Sequence, residues 1–241
     1  MSKPEKSKSE KHIDQSWHTN AVPWVQAVRD QTIPNRAEVT DRAIVQAVQA
    51  TMPDRVLDVG CGEGWLVRQL ASKGIESVGI DGEPRLIAAA REASSHRFQV
   101  LTYAELSELE GYFDACVCNF SLFGETSVEQ ALQNMRRLLM GHPVRPDGQV
   151  VIQTLHPGLT LSQSVAYRKG WREGSWQGFS EAFKDPAPWF FRTLSDWFTL
   201  FKDQGFELID LKEPLHPGTG KPVSIIFTLS VSAINKTLKN D

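Results

Sequence analysis

The chain has 241 residues, 41% of them hydrophobic and 23% charged, with a formal net charge of −3. That is the profile of a soluble globular protein with room for one large domain and a substantial core. The acidic balance argues against a general nucleic-acid binder, which would carry a basic face. Three cysteines, Cys61, Cys116 and Cys118, are too few and too oddly numbered for a disulfide framework, and their spacing is not that of a metal site. No apolar run reaches the length of a membrane span and no signal-peptide core opens the sequence, so a cytoplasmic protein without membrane or metal is expected.

Residues 1–12 are Lys, Ser, Glu and Pro and are expected to form a disordered tail. Residues 13–53 read as a helical cap. One short amphipathic helix holds Trp17 and Trp24 and ends by Pro34; a second starts near Thr40, carries Ile44, Val45 and Val48, and is stopped by Pro53. Strands and helices then alternate through 54–155: strand 55–60, helix 64–73 closed by Gly74, strand 76–81, helix 84–93 and a short strand 98–101. Strand 113–118 leads to a helix with Val128, Ala131, Leu132, Met135 and Leu139 on one stripe, and strand 149–155 ends at His156-Pro157. This alternation predicts an α/β fold, a Rossmann-like, mostly parallel sheet with helices on both faces. Residues 156–192 break the rhythm with a dense run of aromatics, Gly and Pro, and read as an aromatic lid inserted into the core. Regularity returns over 193–232: Thr193 is a plausible N-cap for a helix with Leu194, Trp197, Phe198 and Phe201, and strands 206–211 and 223–231 suggest a closing antiparallel hairpin. Residues 233–241 form a tail.

The segment Arg55-Val-Leu-Asp-Val-Gly-Cys-Gly-Glu-Gly64 carries the most chemistry. A strand breaks into a glycine turn and enters a helix, so a ligand can approach backbone that lacks Cβ atoms and meet unpaired helix N–H groups. Asp58, just before the first glycine, would oppose a pyrophosphate, which disfavours a nicotinamide dinucleotide. A second acid, Asp81, ends the next strand at about the 20-residue offset of a ribose-binding carboxylate. A ligand with an amino group and a sulfonium, and no phosphate, matches both: S-adenosylmethionine.

The same residues carry a family resemblance. Val56–Gly64, Gly79-Ile-Asp81 and Ala88-Ala-Ala-Arg-Glu92, followed by Tyr103-Ala-Glu-Leu106, Tyr112–Phe120 and Gly148-Gln-Val-Val-Ile152, resemble the ordered motifs of the class I S-adenosylmethionine-dependent methyltransferases. Within that family the chain is most similar to small-molecule enzymes related to ubiquinone biosynthesis. The resemblance implies methionine-end contacts at Gly60 and Gly62, ribose contacts at Asp81, adenine contacts at Gly82, Tyr103 and Ala104, and a contact at Asn119. Asp58, Cys61, Trp65, Glu105 and Phe120 border the same site, and Arg36 can pair with the cofactor carboxylate or lie on the surface. Two positions depart from the family pattern: Tyr103 stands where an acid is usual, and the turn before the fifth strand is stretched to Leu139–Gly148.

The expected activity is methyl transfer to a small molecule, releasing S-adenosylhomocysteine. The alternatives are a protein or RNA methyltransferase, or a cofactor-binding protein without transfer. His156, at the end of the fifth strand, is either a general base or a loop brace. Trp171 and Trp176 are the substrate-pocket candidates, standing among Gly, Arg and Ser. His216, in a similar Leu-His-Pro sequence, carries less weight, and His12, His18, His96 and His142 read as surface residues. A monomer or homodimer is expected, with no nucleic acid partner.

Overall fold

The computed structural model describes residues 7–141, 148–160 and 166–231. The main sheet has seven strands in the order β3-β2-β1-β4-β5-β9-β8. These are β1 (Arg55–Val59), β2 (Glu76–Asp81), β3 (Arg97–Val100), β4 (Ala115–Asn119), β5 (Gln149–Thr154), β8 (Phe206–Lys212) and β9 (Ile225–Val231). Strands β1 to β5 are parallel and β9 runs antiparallel to both β5 and β8. The expected Rossmann-like sheet with an antiparallel closing hairpin is therefore the fold. Its chain order reverses between β1 and β4, the switch point where α/β sheets open a crevice at their carboxyl ends.

Burial explains why the strands read as they do. Val56, Leu57, Val59, Val117, Val150 and Val151 are all fully buried, because helices cover both faces. On one face α2 (Asp41–Ala50) and α3 (Trp65–Ala71) pack Ile44, Ala47, Val48, Leu66 and Leu70 onto Val56, Val117, Val151 and Ile226. On the other, α5 (Thr126–Met140) and α6 (Leu194–Asp203) bury Val128, Leu132, Met135, Trp197 and Phe201 against Leu57, Cys116, Ile152 and Phe227. The thiols of Cys116 and Cys118 lie in this second core; burial raises both and keeps them protonated filler. Helix α4 (Pro84–Ala93) completes the set beside β2 and β3. Thr193 caps α6 in a reciprocal box with Asp196, as its sequence suggests.

Three regions differ from the sequence expectation. The first helix is not short: α1 spans Lys8–Arg29, passes through Pro23, and begins inside the stretch expected to be disordered. Ser7 caps it by accepting from the Glu10 amide, and its buried set includes the polar Glu10, Ser16 and Asn20. Those residues read as solvated in sequence because their partners lie more than a hundred residues away. The insert contains a small hairpin, β6 (Gly170–Arg172) with β7 (Trp189–Phe191). Strand β4 starts at Ala115 because Asp114 turns back, its Oδ2 accepting from the amides of Asp54 and Arg55. His142, much of the stretched loop before β5 and the tail after 231 lie outside the described residues. Among those residues no helix is long and apolar enough to cross a membrane, and no metal-binding group of His, Cys, Asp and Glu occurs.

Candidate functional site

The loop between β1 and α3 is held by its own backbone. The amides of Gly60 and Cys61 both donate to the Ile80 carbonyl, at 2.8 and 2.9 Å, and the Gly62 amide donates to Asp81 Oδ2 at 2.9 Å. Gly60 sits at φ +80°, and a Cβ there would come within 2.4 Å of Ser121 Cβ. On the side where a Cβ would point, Gly60 packs against the loop after β4, whose Ser121 hydroxyl donates to the Val59 carbonyl. Gly64 serves packing in the same way, since a Cβ there would fall 2.6 Å from the Phe98 ring. Gly62 alone opens outward, with the Trp24 indole nitrogen 3.5 Å from its Cβ position.

The charges around the loop are unbalanced. Asp58 is 1% exposed and neither carboxylate oxygen has a partner. Burial, with the nearby Asp81 charge, pushes its pKa to about 8, against a small opposing effect of Arg36. Asp81 rises to about 6 by burial, held back by the amides of Glu83 and Gly62 on its two oxygens. Each of these oxygens keeps a second lone pair. Arg36 lies in a five-residue π-helical turn, Arg36–Thr40, with its guanidinium over the rings of Trp24 and Trp65 and its Nε donating to Asp41. Glu63 is buried but paired, bidentate to Arg68 at 2.7 and 2.8 Å. Burial raises the Cys61 thiol well above its usual range, so it stays protonated.

The remaining sequence candidates divide. The Tyr103 hydroxyl donates to the Ser121 carbonyl at 2.7 Å, tying its turn to the loop after β4. Glu105 turns back on Thr102, capping its amide and hydroxyl. Gly82 keeps open space, its nearest neighbour being Thr102 at 3.7 Å, and Ala104 stands half-buried in the same turn. Asn119 ends β4 with a buried, unpaired Oδ1, and Phe120 follows at φ +51°. His156 has both ring nitrogens engaged: Nε2 bonds Glu213 at 2.6 Å and Nδ1 accepts from the Gly158 amide at 3.0 Å. That geometry is a brace between the ends of β5 and β8, and it leaves no nitrogen to take a substrate proton.

A roof lies over Gly62. Trp17 and Trp24 of α1 meet Trp176, Phe179 and Phe183 of the insert in one aromatic cluster. Trp176 therefore belongs to the cluster near Gly62, while Trp171 packs on Phe190 in the β6–β7 hairpin and joins a different cluster. Asn20 locks the roof by bonding the Lys184 amide and carbonyl, and Ser16 donates to the Asp185 carbonyl. Glu10 reaches the start of α5, accepting from the amides of Glu125 and Ser127 and the Thr126 hydroxyl. No local pattern reveals Glu10, Ser121 or Glu213, since each works through a distant partner. The indole of Trp24 was visible only as part of an amphipathic stretch.

Residues 56–141 match the methyltransferase domain family. The chain is 31% identical, over 129 residues, to the ubiquinone biosynthesis O-methyltransferase of Dechloromonas aromatica, covering 51% of each protein. It is 29% identical to the malonyl-[acyl-carrier protein] O-methyltransferase of Erwinia pyrifoliae, covering 48% of this chain and 42% of that one. The chain thus spans about half the length of these relatives. Among solved structures, the 1,6-didemethyltoxoflavin-N1-methyltransferase of Burkholderia thailandensis superimposes with a TM-score of 0.62 at 18% identity, covering 97% of this chain and 94% of that one.

Proposed function

We propose that this chain, a member of the class I S-adenosylmethionine-dependent methyltransferase family, binds S-adenosylmethionine at the carboxyl edge of β1, β2 and β4 and passes its methyl group to a small molecule. One observation carries the reading: the buried Asp58 carboxylate with both oxygens unpaired, within electrostatic reach of Arg36. An amino-acid end fits this pair, its ammonium on Asp58 and its carboxylate on Arg36, and an ammonium ligand restores the ionised form that burial disfavours. Asp81 keeps lone pairs for ribose hydroxyls while holding Gly62 in place, and Gly62 and Gly82 leave backbone open to the ligand. Cys61, Trp65, Ala104 and Phe120 shape the walls.

The bound sulfonium supplies an already electrophilic methyl carbon. The protein's part is then to align the acceptor and exclude water, which the aromatic roof over Gly62 is suited to do. Since His156 is committed at both nitrogens, orientation and not proton abstraction is the contribution we assign to this edge. The small-molecule class accords with the acidic net charge and with the names of the ubiquinone-biosynthesis relative and the structural neighbour, whereas the other relative is named for a malonyl group held on an acyl-carrier protein.

Calorimetry with S-adenosylmethionine and S-adenosylhomocysteine tests the reading. Both should bind in the micromolar range, and Asp58→Asn should weaken S-adenosylmethionine by about 10-fold or more, the scale of a lost charge-assisted bond of about 1.5–3 kcal/mol. Absence of binding by both compounds, or a folded Asp58→Asn protein of unchanged affinity, would sink it.

A further inference from the structure

Asp58 is not the only orphan on its face of the sheet. Asp58 pairs in register with Val117, Val117 with Val151, and Asn119 with Gln153. Residues opposite one another in parallel strands share a face, and so do residues two apart, so Asp58, Asn119 and Gln153 lie on one face of β1, β4 and β5 in a staggered row, Asn119 and Gln153 level with each other and nearer the carboxyl edge than Asp58. Each carries buried side-chain oxygen without a hydrogen-bond partner: both oxygens of Asp58, Oδ1 of Asn119 and Oε1 of Gln153. Gln153 is 1% exposed. Its Nε2 donates to the hydroxyl of Ser224, itself fully buried, which sets the amide plane and leaves Oε1 as the free end. The Phe120 amide donates to the Gln153 carbonyl, anchoring the turn after Asn119 to the same residue. Buried polar groups are nearly always paired, and a row of acceptors without a donor calls for a ligand that brings donors.

The order of the strands says which ligand. The cofactor reading, on which this inference rests, puts the ribose at Asp81 on β2 and the amino-acid end at Asp58 on β1 and takes Phe120 after β4 as a wall; the Asn119 side chain, a cofactor contact by family resemblance, is assigned here to the acceptor. Asn119 and Gln153 stand one and two strands further on, away from the ribose end, at steps of about 4.8 Å. The face is covered by α2, entered through the π-helical turn at Arg36–Thr40, a type of irregularity common at functional sites. We infer that the side-chain amides of Asn119 and Gln153 hold the methyl acceptor, which is a molecule presenting N–H or O–H donors beside the atom to be methylated. Gln153 and Ser224 then determine specificity: an acceptor without donors leaves the row unpaired and is rejected.

The test uses the full chain, S-adenosylhomocysteine as calorimetric probe, and methyl-labelled S-adenosylmethionine with whole metabolite extract as acceptor source. The double variant Gln153→Met, Ser224→Ala replaces both partners of the internal bond with apolar groups and should fold, since removing a pair together is nearly neutral. We expect a melting temperature equal to or above the parent's, S-adenosylhomocysteine affinity within about twofold, and label transfer lowered at least tenfold. Parental labelling by the double variant overturns the inference, because the amides then touch no acceptor. A clear fall in melting temperature overturns it by making the pair structural, and lost S-adenosylhomocysteine affinity by making it part of the cofactor site. A parent chain that binds S-adenosylhomocysteine but labels nothing in the extract overturns it too. A parent that binds no S-adenosylhomocysteine instead removes the methyl-transfer reading itself, and calorimetry reports that separately.

Discussion

At Gly60 one added carbon would fall 2.4 Å from Ser121, whereas Ser16 and Asn20 hold the roof above the same crevice by hydrogen bonds to residues 184 and 185. The glycine loop is fixed by close approach of backbone and side chain, with no slack to move. The roof is docked through polar groups and half-buried rings that water could replace. A site that must admit and release a ligand gains from this division: the floor keeps its geometry while the cover opens without unfolding the sheet.

Substitutions separate the two kinds of region. The largest effect should come from Gly60→Ala. Overpacking of about 1–3 kcal/mol and a left-handed Ala of about 1–2 kcal/mol should lower the melting temperature on the order of 10 °C and abolish cofactor binding. Gly62→Ala, also left-handed at φ +56° but with only Trp24 at 3.5 Å from its Cβ position, should incur the backbone cost without the overpacking and lose less stability. Equal losses at the two positions would end the distinction between a packed and an open glycine.

Asp58 gives the floor a pH signature. With a folded pKa of about 8 against 3.8, the native state holds a proton that the unfolded chain releases in between. The ligand-free protein should therefore lose stability as pH rises from about 4 to 8 and level off above. Asp58→Asn should remove much of that decline, raising the melting temperature at pH 8 by about 4–8 °C, the shift of about 2 kcal/mol in a chain of this size, with little change near pH 4. A parallel pair of stability curves would contradict the buried, unpaired carboxylate.

Glu10 marks the roof. Burial alone would raise its pKa, but the Ser127 amide and the hydroxyls of Thr126 and Ser127 bring it below 4.5. Its contribution should be complete above about pH 4.5 and fade as pH falls through the lowered value. Glu10→Ala should cost about 0.5–2 kcal/mol, as a lost helix cap does. Hydrogen exchange should quicken in α1 and at the start of α5, and stay unchanged in β1 and β4. Faster exchange throughout the sheet would mean that roof and floor unfold together.

The smallest effect is expected at His156, which braces the far edge of the floor. His156→Asn should leave cofactor affinity nearly intact and the pH dependence of transfer unchanged, because no proton passes through it. Transfer that falls by about 10²–10⁴-fold with a lost acid limb would restore the general base.

How much of this was legible in sequence depends on how far apart the interacting residues lie. Apolar runs, helical stripes and glycine punctuation act within a few residues, so the strands, their parallel order and the Thr193 capping box could be read directly. The proposed pairing of Asp58 with an amino-acid ligand was also implicit, since an acid before a glycine turn disfavours phosphate wherever the chain folds. The length of α1 was not legible: its buried residues include Glu10, Ser16 and Asn20 beside Ala21, Ala27 and Val28, and Glu10 is understood only once residues 125–127 stand beside it. The packing of Ser121 against Gly60 was not visible in sequence, and the choice between base and brace at His156 waited on its bonds to Glu213 and Gly158. Sequence by itself determined the sheet and the cofactor edge through local patterning. Only the tertiary structure decided which polar atoms are satisfied and which still await a partner, because hydrogen bonding is settled by contacts that sequence distance does not record.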